Sequence, residues 1–257
     1  MKFGVCLGGM GPKIEQLEIL HTCGYDYVEL SMVDLMVASD AQFVHIKQAI
    51  TDNHISCLVC YLFFPWQLKI VGPETDEGYI TQYIQTAVQR AASVGATKLV
   101  VGSGSSRLVP SGFNQEKALK QFGRILNEVQ TAAAPEAIQT IIEPMCRAET
   151  NLINTVNEAF VLIAEMEPPL LKTMIDLYHF HKNEERYDEL KHGETLISHI
   201  HLSNDARGFP SKREEIADLF QYLRSISYDG TVSIEASTSD FQSDARQTLS
   251  LLKTIIS

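Results

Sequence analysis

The feature that most restricts the fold of this chain is a rhythm. Short apolar runs rich in β-branched and aromatic residues alternate with longer amphipathic stretches. The runs are KFGVCLG (2–8), YDYVELS (25–31), SCLVCYL (56–62), KLVVGSG (98–104), QTIIEP (139–144), KTMIDLY (172–178), SHIHLSN (198–204) and TVSIEAS (231–237). Between them lie stretches with helical spacing, such as IEQLEILHTCG, AQFVHIKQAITDNH, YITQYIQTAVQRAASVG, NQEKALKQFGRILNEVQTAA and REEIADLFQYLRSI. Several end in Gly or Asn just ahead of the next run, as a helix C-cap feeding a buried strand does. Eight strands alternating with helices in 257 residues predict a closed (β/α)8 barrel, one domain over residues 1–257. A doubly wound open sheet is disfavoured, because the first strand-to-turn segment, VCLGGMGPK, lacks G-x-G-x-x-G spacing and no P-loop occurs.

Composition narrows the function classes. The formal charge of -11 and pI near 5.2 oppose binding to phosphate backbones, which depends on clustered Lys and Arg, so no nucleic-acid partner is expected. No run reaches the roughly 18 apolar residues of a membrane span, and the N-terminus is too short in apolar residues for a signal peptide, which makes the cytoplasm the expected location. The five cysteines sit in apolar segments, which suits buried thiols. Cys57 and Cys60 form a C-x-x-C, but inside a strand residues three apart are expected on opposite faces.

In such a barrel the strand C-termini converge on one mouth. The last four strands finish with Glu143, Asp176, His201 and Glu235. Two carboxylates about 4 Å apart repel by ~4 kcal/mol at an effective dielectric near 20, so this convergence calls for protonation or a cation. Oxygen donors with one imidazole suit a divalent ion, Mn²⁺ first, with Mg²⁺, Co²⁺ or Zn²⁺ as alternatives. Read singly, Glu143 could instead pair with Arg147, and His201 could be a satisfied core histidine. In the first half, Glu29 reads as a solvent-facing strand-end carboxylate more readily than as a mouth residue. Trp66 reads equally as a sugar-covering or a loop-packing aromatic. The glycines and serines of GSGSS (102–106) fit a tight loop better than a phosphate cradle.

Taken together, EP-x-x-R-x-E (143–149), D-x-x-H (176–179), H-x-x-x-D-x-R (201–207) and VSIEAS resemble the xylose-isomerase-like TIM barrels, and within them the ketose 3-epimerases of the tagatose and psicose group. The resemblance implies that Glu143, Asp176, His201 and Glu235 hold one metal ion, and that Glu143 and Glu235 are also the catalytic acid/base pair. It implies that Glu149, His179 and Arg207 bind a small sugar or sugar-phosphate substrate, and that the chain forms a dimer or tetramer. Aldose–ketose or hydroxypyruvate-type isomerisation and the dehydratases of the superfamily use the same residues and stay open. An endonuclease IV-like nuclease is disfavoured, because YLFFP and GSGSS supply no histidines for a three-metal site. A non-catalytic sugar-binding barrel is the remaining alternative.

Overall fold

The computed structural model describes residues 1–9, 13–166, 171–190 and 193–256. Its parallel strands, β1 (Lys2–Leu7), β2 (Tyr27–Ser31), β3 (Ser56–Tyr61), β4 (Lys98–Val101), β5 (Gln139–Ile142), β6 (Leu171–Asp176), β7 (Ile197–Leu202) and β8 (Thr231–Ile234), pair in sequence order. β8 then closes on β1, giving the expected single-domain barrel. The surrounding helices are α1 (Leu17–Cys23), α2 (Met32–Val37), α3 (Asp40–Asp52), α4 (Glu77–Ser93), α5 (Gln115–Ala133), α6 (Val156–Ala164), α7 (Leu177–Lys182), α8 (Ala217–Ser225) and α9 (Phe241–Ile256).

Local chemistry explains these elements. In α5, Ala118, Phe122, Ile125, Leu126, Val129 and Ala133 are buried at helical spacing, while the Asn114 side chain accepts from the Lys117 N–H at its start. α1 stops at Gly24, whose φ of 89° lets its N–H close back on the Leu20 and His21 carbonyls before β2 begins. The strands are buried on both faces, as a covered parallel sheet requires. Outward residues join the main core under the helices, and Tyr27, Val59, Tyr61, Val100, Ile141 and Met174 form a second cluster inside the barrel.

Two register shifts matter later. Between β2 and β3 the pairing runs Val28 with Cys57 and then Glu29 with Val59, a bulge at Leu58. It places Cys57 and Cys60 together in the outer core, with the Cys57 thiol donating to the Val59 carbonyl, so the expectation of opposite faces is corrected. Between β6 and β7 a similar shift at Ser198 aligns His199 with Met174 and His201 with Asp176, bringing both histidines inside.

The apolar run 172–178 is not one strand. β6 ends at Asp176, and Leu177–Lys182 is helical because the Asp176 carboxylate accepts from the His179 N–H at 2.9 Å, capping α7. The D-x-x-H spacing is thus that of a helix N-cap and its third residue. No helix among the described residues is long and apolar enough to cross a membrane.

Candidate metal centre and substrate pocket

At the C-terminal mouth, Glu143 and Glu235 stand one residue beyond β5 and β8, and Asp176 and His201 lie at the ends of β6 and β7. The ladder continues through both glutamates, since Glu143 N–H reaches the Val101 carbonyl and Glu235 N–H the Leu202 carbonyl. His201 Nδ1 is 3.5 Å from Glu143 Oε1, 3.7 Å from Asp176 Oδ2 and 3.3 Å from Glu235 Oε2. One ligand atom from each of the four lies within 4.8 Å of the others. Donors held about 2.0–2.2 Å from a shared ion sit about 3–4 Å apart, which matches the spacing of His201 Nδ1 from the three carboxylates. His201 Nδ1 is buried with no hydrogen-bond partner, a lone position aimed at three carboxylates. Asp176 uses Oδ1 to cap α7 and turns Oδ2 to His201.

The electrostatics support the same conclusion. Burial raises the Glu235 pKa, the neighbouring Glu143 and Asp176 charges raise it further, and His201 opposes them. Burial would also raise Asp176, but His201, His179 and Arg207 hold it well below the usual range. His201 is pushed well above its ordinary value: burial opposes its charge, but Glu29 and other surrounding anions outweigh that. The cluster carries more negative charge than its side chains neutralise, and the donor set fits a divalent cation.

Beside the cluster, Arg207 Nη2 donates to Glu149 Oε1 at 2.9 Å and approaches His179 Nε2 at 3.0 Å, while its guanidinium lies 4.1 Å from the centre of the Tyr178 ring. Arg207 has a φ of 59°, an uncommon backbone state for a side-chain-bearing residue, held by its own N–H on the Asn204 carbonyl and by the Ser237 N–H on its carbonyl. His179 Nδ1 accepts the Cys146 N–H at 3.1 Å, so in the neutral ring Nε2 carries the proton. Nε2–H and Arg207 Nη2–H are then two donors side by side, unable to satisfy each other and suited to a common oxygen. The structure therefore gathers Glu149, His179 and Arg207 next to the four candidate ligands. A cavity of about 550 Å³ opens on Arg207 and Glu235 and is lined also by Cys6, Lys13, Tyr61, Leu62 and Phe241.

Several single-residue expectations change. Arg147 pairs with Glu158 at 3.6 Å, leaving Glu143 to the cluster. Glu29 does not face solvent: it is fully buried inside the barrel, bonded to His199 and His201 at 3.0 Å each. Burial would raise its pKa, but the two imidazoles hold it well below the carboxylate range. Trp66 is 68% exposed and is not among the cavity-lining residues. Ser103 accepts from the Phe64 N–H and Ser106 donates to the Pro65 carbonyl, so these hydroxyls tie the loop after β4 to the loop after β3.

Two supports of Glu143 escape a reading of the sequence. Gly102 gives the Glu143 carboxylate room, because a Cβ there would overlap Oε2. Arg107, fully buried, donates to the Val101, Glu143 and Ile153 carbonyls and lies 5.4 Å over the Phe122 ring. Burial lowers its pKa to about 10. Arg107→Met is expected to destabilise the fold by ~2 kcal/mol, because those carbonyls lose a charged donor; urea unfolding measures this.

The carboxylate–histidine cluster and the polar pocket lie at the C-terminal mouth of a closed parallel barrel, where enzymes of this architecture carry their active sites. The chain belongs to the xylose isomerase-like TIM barrel family, whose model matches residues 17–255. It is 24% identical over 234 residues to the D-psicose 3-epimerase of Agrobacterium fabrum, covering 88% of this chain and 78% of the relative. It is 27% identical over 160 residues to the 3-dehydro-D-guloside 4-epimerase of Escherichia coli, covering 59% of this chain and 61% of the relative. Among solved structures, a D-psicose 3-epimerase determined in the presence of D-fructose superposes with a TM-score of 0.86 at 18% identity, over 100% of this chain and 99% of that one. The IOLI protein, solved with a zinc atom, superposes with a TM-score of 0.78 at 16% identity, over 100% of this chain and 98% of that one.

Proposed function

We propose that this chain is a divalent-metal-dependent epimerase of unphosphorylated keto-sugars. The observation that carries this reading is the Glu143, Asp176, His201 and Glu235 cluster, with an unpartnered His201 Nδ1 at its centre. The named activities of the relatives, epimerisation of D-psicose and of 3-dehydro-D-guloside, support the choice of sugar chemistry.

A metal ion held by these four residues would polarise a substrate carbonyl, easing loss of the proton on the neighbouring carbon. β5 and β8 stand three strands apart, so Glu143 and Glu235 enter the mouth from different sides. In the forward direction Glu143 removes that proton, leaving a planar cis-enediolate, and protonated Glu235 delivers a proton to the opposite face. The C–H bond reforms with inverted configuration, and the two carboxyls exchange protonation states. Glu235, one residue beyond β8 and facing His201 across the mouth from Glu143, is placed to act as the acid. Arg207 and His179 offer their paired N–H groups to the enediolate edge, and Glu149 fixes Arg207.

An unphosphorylated substrate is favoured by the mouth itself. Parallel (β/α)8 barrels that take phosphorylated substrates frequently bind the phosphate at the loops after the seventh and eighth strands and a helix N-terminus there. Here the Asp240 carboxylate accepts the Ser243 N–H at the start of α9, so the helix N-terminus after β8 is already capped by an anion. Incubating Mn²⁺-loaded protein with D-psicose, D-tagatose and their phosphates tests this. A C3 or C4 epimer from the free sugars supports the proposal; an aldose product or loss of water contradicts it, and turnover of the phosphates alone removes the substrate assignment.

Metal binding is expected to release protons and to weaken as pH falls. The ion competes with a proton on His201, which is held above its ordinary pKa value, so affinity drops through the window in which that imidazole protonates. Calorimetric titration in buffers of different ionisation enthalpy reads the released protons directly.

A further inference from the structure

A carboxylate buried in a barrel interior needs donors, because an uncompensated charge there costs several kcal/mol. Glu29 has them on both oxygens. Oε1 lies 3.0 Å from His201 Nε2, and Oε2 lies 3.0 Å from His199 Nε2 and also takes a short hydrogen bond from Ser233 Oγ. An ionised carboxylate only accepts, so both imidazoles donate from Nε2. His199 Nδ1 is then an acceptor. It faces Thr231 Oγ1 at 2.8 Å, and that oxygen receives the Lys98 ammonium at 2.7 Å. Lys98 also donates to the Ser198 carbonyl, at the bulge that turns both histidines inward. Every bond in this chain therefore has one direction: Lys98 to Thr231, Thr231 to His199, and His199 with His201 to Glu29. Tyr27, hydrogen-bonded to Ser233 at 2.7 Å, ties the serine into the same arrangement.

We propose that Glu29 is a positioning residue of the metal centre: by fixing the proton of His201 on Nε2, it turns the Nδ1 lone pair to the ion shared with Glu143, Asp176 and Glu235. The inference rests on the metal-centre reading above and adds to it a residue that touches neither substrate nor ion. An apolar core would fill the same space at lower electrostatic cost, which is why a structural role alone is a poor explanation of a polar chain running from Lys98 to the mouth. Hydrogen-bonded partners behind a ligating imidazole set its tautomer and orientation, and their loss weakens metal binding about 10- to 100-fold.

The test uses the whole chain with Glu29→Gln. The amide keeps one acceptor but places an N–H₂ against an imidazole donor. Two readings are taken together: the ¹⁵N-edited NMR signals of the histidine N–H protons in metal-free protein, and Mn²⁺ affinity by electron paramagnetic resonance. Wild type is expected to show protected, downfield Nε2–H signals from both His199 and His201. Glu29→Gln is expected to lose the His201 signal and to bind Mn²⁺ about 10- to 100-fold more weakly while circular dichroism reports an unchanged fold. If that variant does not fold, Glu29→Asp, whose shorter side chain cannot reach both rings, is expected to show a weakened His201 signal and an intermediate loss of affinity. A folded variant that binds Mn²⁺ as wild type does, or a wild-type His201 protonated only on Nδ1, overturns the proposal. A wild type showing both Nε2–H signals but binding no Mn²⁺ instead overturns the metal centre on which it rests.

Discussion

Glu143→Gln and Glu235→Gln are each expected to reduce turnover by at least about 10³-fold, the scale of losing a positioned proton-transfer group. The amides keep the shape and one oxygen of each side chain but neither takes nor gives the proton. Both carboxylates also face His201, so part of the loss has to be separated from weakened metal binding. Saturating Mn²⁺ and a direct measurement of bound metal accomplish that separation. At full occupancy both variants are expected to remain inactive. A variant with full metal and near-wild-type turnover would remove its glutamate from the proton-transfer pair.

Gly102→Ala is expected to lower kcat by about 10²-fold with little loss of stability, the scale of an ångström-sized misplacement of a reacting group. Gly102 does not occupy the left-handed backbone region, so alanine introduces no backbone strain there. The conflict is spatial: the added methyl group would overlap Glu143 Oε2, and Glu143 is held from behind by Arg107 on its own carbonyl. The carboxylate must rotate out of the cluster while the strand stays in place. Steady-state kinetics with a parallel thermal unfolding curve distinguish this from a folding defect, in which stability and activity fall together.

The second half of the barrel was legible in the sequence because each candidate ligand is a charged or imidazole group at the end of an apolar run. Such a pattern has few explanations once the strands are placed. Glu29 was not legible. It sits within a short strand whose partners, His199 and His201, lie 170 and 172 residues away. A bulge at Ser198 that no composition signal marks sets the facing of those histidines. α7 was hidden because Leu177 and Tyr178 continue the apolar run of β6, while the capping bond of Asp176 decides the backbone. Gly102 reads as a loop glycine, and its role against Glu143 is visible only when β4 and β5 are side by side. The C-x-x-C of β3 shows the same limitation, since strand periodicity fails wherever a bulge intervenes.

The assignment of Glu143 and Glu235 as a proton-transfer pair on a sugar is tested most directly by deuterium incorporation, read by NMR, when Mn²⁺-loaded protein is incubated in D₂O with unphosphorylated ketoses. The expected result is deuterium on the single carbon beside the carbonyl whose configuration inverts, in both remaining substrate and product, abolished by chelation and by either glutamine variant. Epimer formation without solvent deuterium, or exchange that persists in metal-saturated Glu143→Gln and Glu235→Gln, would contradict it.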